Sequence, residues 1–543
     1  MNKHVYLFGE GINEGNASQV DILGGKGANL AEMSSLNIPV PPGFTITTPV
    51  CNSFLKQKLL KKKIKQSINK SLKIVENIMS KGFGNIKHPL LLSVRSGAKI
   101  SMPGMMETVL NIGLTSKTIP ALIEQTQNPR FVYDSYRRLI MMYSDVVMEK
   151  AEQKNHIQIR EKLENILDEY KRKNNITNDY ELTTQDLQYL IKKFKIEIKK
   201  YFKIEFPDSC KEQLWGAIEA VFKSWNGKRA FQYRNIENIP HDWGTAVNVQ
   251  TMVFGNLGET SATGVAFTRN PSNGNNKIYG EWLKNAQGED VVAGIRTPNP
   301  INESSKTNRT KNSETLQKKW PDIYKKLFII KNKLEKHYKD MQDIEFTIES
   351  GNLWMLQTRK GKRTGEAAIK IGVEMNNEKL ITQQELIDRI ISKNIDEIMH
   401  PKVDPELEKI KKPVESGLPA SPGGACGQIV FTASRAEEWH KKNKKVLLVR
   451  HETSPEDVQG MHVSQGIITA KGGMTSHAAL VARGWGKACI VGCSNLNIDL
   501  KRKTVTINKT TYKEGDWFTI NSTEGLIYDQ KLNLVTSNFF KNK

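Results

Sequence analysis

The stretch that most restricts what this chain can fold into is Lys471–Cys493, KGGMTSHAALVARGWGKACIVGC, taken together with the apolar run Gly466–Ala470 in front of it. An apolar run closed by two glycines describes a buried strand ending in a turn, and Thr475 and Ser476 supply hydroxyls of the kind that open a helix. The spacing predicts a helix from His477 to Arg483. His477 then falls in the first turn, where unpaired backbone N–H groups and the positive end of the helix dipole gather. That environment disfavours imidazolium and welcomes an anion, so the ring is a neutral nucleophile whose phosphoryl adduct the same helix end would stabilise. The competing reading is an ordinary capped, Ala-rich helix with a polar residue in its first turn, and a Ser-His pair alone does not separate the two. The nucleophile reading requires a path by which reaction partners reach the ring.

A second informative stretch is Asp343–Arg359, DIEFTIESGNLWMLQTR, which reads as a hairpin turning at Ser350-Gly351-Asn352. If Glu349 faces Leu353, then Glu345 lies opposite Gln357 and Asp343 opposite Arg359. All four share one face, while Ile344, Phe346, Ile348, Trp354 and Leu356 fill the other. Two carboxylates at i and i+2, with an amide and an arginine across from them, suit a Mg²⁺–nucleotide site, because hard oxygen ligands hold the metal and the arginine meets the phosphates it bridges. A solvated, charge-paired hairpin is the alternative.

Upstream, Asp21–Met33 reads as a Gly-rich turn leading into a helix, with Lys26 in the turn. Its GGKG is not the GxxxxGK[ST] phosphate loop, so Lys26 is either a phosphate contact or a solvent-facing lysine. Phe54–Met79 reads as one amphipathic helix with a basic face. Leu91–Gly97 is a short strand ending at an arginine, Arg95, and runs into the small-residue loop Ser101–Thr108; this is either a polyphosphate clamp or a hairpin with an exposed arginine. Residues 120–202 are helical, with Arg138 a weaker phosphate candidate. Residues 366 to about 415, punctuated by Pro401, Pro405 and Pro413, read as a helical linker.

At 543 residues the chain exceeds one core and implies three or four units. No apolar run reaches the ~20 residues of a membrane helix, and the start lacks a secretory signal; five scattered cysteines fit reduced thiols, and the cytoplasm is the expected location. The charge of +22, from 80 Lys+Arg against 58 Asp+Glu, is spread through Lys/Asn/Ile-rich segments without interleaved aromatics, so neither a nucleic-acid nor a membrane partner is expected.

The string GGMTSHAALVARGWGKACIVGC resembles the phosphohistidine signature of the pyruvate phosphate dikinase family, with Ser476 where the related phosphoenolpyruvate synthases usually carry Cys. GGKGANLAEM, SVRSGAKISMPGMMETVLN, FVYDSYRRLI, MVFGNLGETSATGVAFTRNP, NAQGEDVVAGIRTP and DIEFTIESGNLWMLQTRKGKRT resemble, in order, the family's nucleotide-binding half. The resemblance implies a multidomain α+β and α/β protein: an ATP-grasp domain over 1–365 with a helical subdomain at about 115–202, the linker 366–415, a swivelling β/β/α phosphohistidine domain over 416–532, and a tail at 533–543. It implies that His477 carries phosphate and that Lys26, Arg95, Arg138 and Arg359 contact the phosphates of ATP. Asp343 and Glu345 would hold Mg²⁺, Gln357 would assist, and the loop containing Ser101, Gly104 and Thr108 would close over the polyphosphate. Thr475 resembles the threonine that a regulatory kinase modifies in some relatives, although a capping hydroxyl explains it equally. The expected reaction is ATP, phosphate and pyruvate giving AMP, diphosphate and phosphoenolpyruvate. The family's pyruvate/phosphoenolpyruvate barrel needs ~250 residues and is expected to be absent, since 15 follow Tyr528 (543 − 528). The expected share is therefore the half-reaction with ATP and inorganic phosphate, within a possible homodimer. A synthase-like enzyme using water and a non-catalytic nucleotide-binding remnant are the alternatives.

Overall fold

The structure is a computed structural model that describes residues 3–535, apart from 101, 103, 153–157, 289, 291–297, 307–309 and 391–400. The chain divides into two compact units, Met1–Leu257 with Trp354–Gln357, and Gly258–Leu353 with Thr358–Lys543. The division does not follow the 365/366 boundary set out from sequence. Residues 258–353, read from sequence as part of a nucleotide-binding domain, cluster with the His477 region because strand pairing and burial, rather than chain order, decide what packs together.

In the first unit, an antiparallel sheet runs Ile12–Asn13, Val5–Gly9, Gly43–Ile46, Thr245–Thr251, Leu92–Ala98, Thr108–Ile112. Register places Thr45 opposite Asn248, Asn248 opposite Arg95, and Arg95 opposite Thr108, so these four side chains form one polar row across four strands. The helix Val20–Ser35 packs on this sheet. Residues 119–202 are mostly helical, and helices continue through Cys210–Ser224 and Lys228–Ile236. Two expectations change. The basic helix is two, Thr48–Gln57 and Lys62–Met79, because Lys58 turns left-handed (φ 54°) and its N–H closes the first on the Phe54 carbonyl. Lys26 sits inside the Val20–Ser35 helix rather than in a turn ahead of it; the turn is compressed into one kinked residue, Gly24, at φ 65° and ψ 167°.

The second unit contains two larger sheets. One is antiparallel and runs Asn352–Lys360 (of which Trp354–Gln357 are counted with the first unit), Gln342–Glu349, Ala262–Phe267, Tyr279–Lys284, Asn299–Pro300. The other has eight strands around a parallel centre of Gly424–Val430, Val446–Arg450, Gly466–Thr469 and Ala488–Val491. The mixed α+β and α/β class read from the sequence is the one observed. Among the described residues no helix is long and apolar enough to cross a membrane.

Candidate active site

The parallel strands Val446–Arg450 and Gly466–Thr469 lie side by side with Arg450 opposite Thr469, so the loops that leave their carboxyl ends are neighbours. One loop carries Thr453; the other leads into the helix His477–Trp485. Loops at the carboxyl ends of parallel strands are where open α/β sheets build their sites. Thr453 Oγ1 and His477 Nδ1 are 3.0 Å apart. With Nδ1 facing Thr453, a phosphoryl role for this ring would fall to Nε2. That atom carries a lone pair only in the tautomer in which Nδ1–H donates to the threonine. Thr453 had no signal in the sequence, since 24 residues separate it from the histidine. Thr453→Val is expected to slow single-turnover phosphorylation of His477 roughly 10- to 100-fold, the scale of removing a partner that orients a ligand imidazole, with the melting temperature little changed.

His477 opens its helix as expected, but neither preceding hydroxyl caps it. Ser476 is the N-cap residue without a side-chain cap bond, and its Oγ is buried with no partner among the described residues. Thr475 Oγ1 instead donates to Glu281 Oε2 at 3.1 Å, and Met474 N donates to Glu281 Oε1 at 3.3 Å. Arg483, fully buried one helix turn and a half further on, donates to the Met474 carbonyl at 2.6 Å and to the Ala420 carbonyl at 2.9 Å. The peptide before His477 is thus gripped on both sides by two residues that local capping rules cannot find. Burial pushes the Glu281 carboxyl up, against the opposing pull of the Met474 N–H, the Thr475 hydroxyl and Arg483. His477 itself is 9% exposed, among Thr453 and Ser476 on one side and the apolar face of its helix on the other. The ring is buried, Nε2 included, so a reaction partner reaches it only when the contacts around it open.

The acidic hairpin turns at Ser350-Gly351, both left-handed (φ 48° and 80°), with Asn352 already in the strand. Arg359 Nε donates to Asp343 Oδ2 at 2.7 Å, and its Nη2 is 3.7 Å from Glu345 Oε1, so the arginine and both acids meet as the register anticipated. The hairpin is not a solvated one: Asp343 is 3% exposed, and along the second strand Leu353, Met355 and Gln357 are buried where Trp354 and Leu356 were expected to be. Both faces are covered, so periodicity could not tell them apart. Burial raises the Asp343 carboxyl against Arg359, and the two acids keep Arg359 firmly charged despite its own burial. Asp343 Oδ1 is buried with no partner among the described residues, an acceptor that suits a cation. No third acid, histidine or cysteine joins a cluster among the described residues. Two carboxylates fit Mg²⁺, which takes one or two from the protein and the rest from water and phosphate.

In the first unit, Arg95 and Thr108 are cross-strand neighbours, and Arg95 lies within its strand, which continues to Ala98, rather than at its end. Lys26 Cβ is 3.6 Å from the point where a Cβ would stand on Gly97, two residues beyond Arg95, so the lysine and the arginine are brought to one part of the sheet. Gly104 is left-handed (φ 71°) in the loop before Thr108, and Ser101 lies outside the described residues. Gln357 belongs to the first unit, beside Met355, whose N–H donates to the Pro39 carbonyl at 2.7 Å. Arg138 Nε donates to Asp134 Oδ2 at 3.0 Å, which commits part of its guanidinium to an ion pair.

A family profile described as "Pyruvate phosphate dikinase, AMP/ATP-binding domain" matches residues 20–380, and one described as "PEP-utilising enzyme, mobile domain" matches residues 442–525. The chain belongs to the pyruvate phosphate dikinase family. It is 49% identical over 530 residues to pyruvate, phosphate dikinase of Clostridium symbiosum, covering 97% of this chain and 58% of that protein. It is 49% identical over 528 residues to the Rhizobium meliloti protein of the same name, covering 97% and 58%, and 48% over 524 residues to the chloroplastic pyruvate, phosphate dikinase 1 of Arabidopsis thaliana, covering 96% and 52%. The chain therefore spans just over half the length of these relatives.

Within this family member, Asp134 offers a test that is independent of catalysis. Burial alone would raise its carboxyl, but Arg137, Arg138 and Arg130 outweigh burial and hold it well below the usual carboxylate range. A carboxyl lowered in the folded state contributes stability that is complete above its ordinary value and is lost as pH falls through the lowered one. Asp134→Asn is expected to cost about 2 kcal/mol at pH 7, a deficit that shrinks below about pH 4. Thermal melts of both proteins across that range check it.

Proposed function

We propose that this chain carries out the ATP- and phosphate-dependent half of the pyruvate, phosphate dikinase reaction. Lys26, Arg95, Thr108 and the loop at Ser101 and Gly104 take the phosphates in the first unit, with Gln357 assisting and Arg138 as a weaker contributor. In the second unit, Asp343 and Glu345 hold Mg²⁺, and Arg359 answers phosphate charge. His477 attacks the β-phosphorus of ATP, the bond to the α-phosphate oxygen breaks, and AMP leaves. Inorganic phosphate then takes the γ-phosphoryl group and departs as diphosphate, leaving one phosphoryl group on the ring nitrogen. Pyruvate is the final acceptor, giving phosphoenolpyruvate. Catalysis at the nucleotide is positioning and charge neutralisation, the usual demand of phosphoryl transfer. We read 1–365 as the nucleotide-binding domain and 416–532 as the phosphohistidine domain of a cytoplasmic enzyme.

The observation that carries this reading is the 3.0 Å hydrogen bond between Nδ1 of a histidine seated at a helix N-terminus and Thr453 Oγ1, with the ring as donor in the tautomer that leaves the lone pair on Nε2. Thr475, 1% exposed and bonded to Glu281, is reachable by a modifying kinase only when that contact opens; phosphate there would set negative charge against a carboxylate. The test is incubation with Mg²⁺, phosphate and ATP labelled at either the β or the γ position. Acid-labile protein label from the β position, with γ label recovered in diphosphate, is expected. Protein label from the γ position alone would overturn the reading.

A further inference from the structure

Asn248 is fully buried in the centre of the polar row, between Thr45 and Arg95. Its Oδ1 accepts from Thr45 Oγ1 at 2.8 Å, while its Nδ2 has no partner among the described residues. An amide N–H₂ buried without an acceptor is costly enough to need a reason. The surroundings supply one. A Cβ on Gly27, next to Lys26, would stand 2.9 Å from Oδ1, and a Cβ on Gly97, two residues beyond Arg95, would stand 2.5 Å from Nδ2. Gly27 thus leaves room for Thr45, whose Oγ1 and Cγ2 would stand 2.7 Å from that Cβ, together with the amide oxygen, and Gly97 leaves room for the amide nitrogen. The spot its N–H₂ edge reaches is the one that Lys26 Cβ also approaches, 3.6 Å from the same absent Gly97 carbon.

We propose that Asn248 is a positioning and specificity residue of the polyphosphate site: wedged between Gly27 and Gly97, it sets Lys26 against Arg95 and lines the floor beneath them with an amide donor edge. The inference rests on the proposed phosphate role of those two cations. An aspartate of the same shape would place a carboxylate between them and compete with phosphate for both charges. A leucine of similar volume would keep the spacing and remove the donor.

The test is binding of ATP, inorganic tripolyphosphate and AMP to the full chain by calorimetry, with thermal melts of each variant. Asn248→Asp is expected to weaken ATP and tripolyphosphate on the order of 100-fold, and Asn248→Leu roughly 10-fold, with AMP nearly unchanged. A merely structural asparagine would lower stability without altering the ratio of ATP to AMP affinity. An unaltered ratio in both variants overturns the proposal; if the aspartate variant does not fold, the leucine variant decides alone. Lys26→Ala and Arg95→Ala, measured alongside, report on the underlying reading. If they leave the ratio intact while Asn248→Asp collapses it, the assignment of the two cations fails and Asn248 stands as a phosphate determinant in its own right.

Discussion

Replacing His477 with asparagine is expected to abolish retention of the β-phosphate of ATP on the protein while leaving nucleotide binding in place. The asparagine side chain can keep a hydrogen bond to Thr453, at the position Nδ1 now occupies 3.0 Å from that hydroxyl, but an amide nitrogen has no available lone pair with which to form a bond to phosphorus. Stability should change by no more than about 1 kcal/mol, the worth of a hydrogen bond. Phosphoprotein assay under alkaline conditions, paired with calorimetric titration of ATP, separates loss of the nucleophile from loss of the site. Label persisting in the variant would place the acceptor on another residue.

Gly24→Ala is expected to destabilise the first unit by about 3–5 kcal/mol and to weaken ATP binding with it. Gly24 stands at φ 65° and ψ 167°, a conformation essentially reserved for glycine, and a Cβ there would lie 1.7 Å from the Gly97 carbonyl oxygen. The clash is with backbone, so no rotamer relieves it; the helix carrying Lys26 must lift from the strand carrying Arg95. Gly25→Ala is the control, because a Cβ there meets only the Lys99 and Ala98 carbonyls at 3.4 and 3.5 Å, ordinary contact distance, within regular helix. It should be neutral or stabilise by up to about 1 kcal/mol. Denaturation of the two variants side by side is the measurement, and equal stabilities would refute the account of the kink.

The hairpin shows how far local rules reach. Alternation brought Asp343, Glu345 and Arg359 together, because opposite residues of paired strands share a face whatever covers it. It misassigned Trp354 and Leu356, because the strand is covered on both faces and apolar periodicity then loses its meaning. The GGKG stretch shows a different limit. Glycines there suggested a turn, whereas one kinked glycine, Gly24, joins two helical pieces and Gly27 lets the second of them lie close on the sheet. Glycine content reports that backbone must come close to something, without saying to what.

By itself the order of residues determined the strands, the helix beginning at His477, the sharing of a face by the acidic pair and the arginine, and the membership of a family, since all of these depend on neighbours along the chain or on strings that can be matched. Tertiary structure alone decided that Thr453 holds the histidine ring, that Glu281 and Arg483 grip the peptide before it in place of the expected caps, and that Asn248 sits between the glycines beside Lys26 and Arg95. Apart from the bond of Arg483 to the Met474 carbonyl, nine residues away, each of those contacts joins residues distant in sequence, and such distances are set only when separate elements pack.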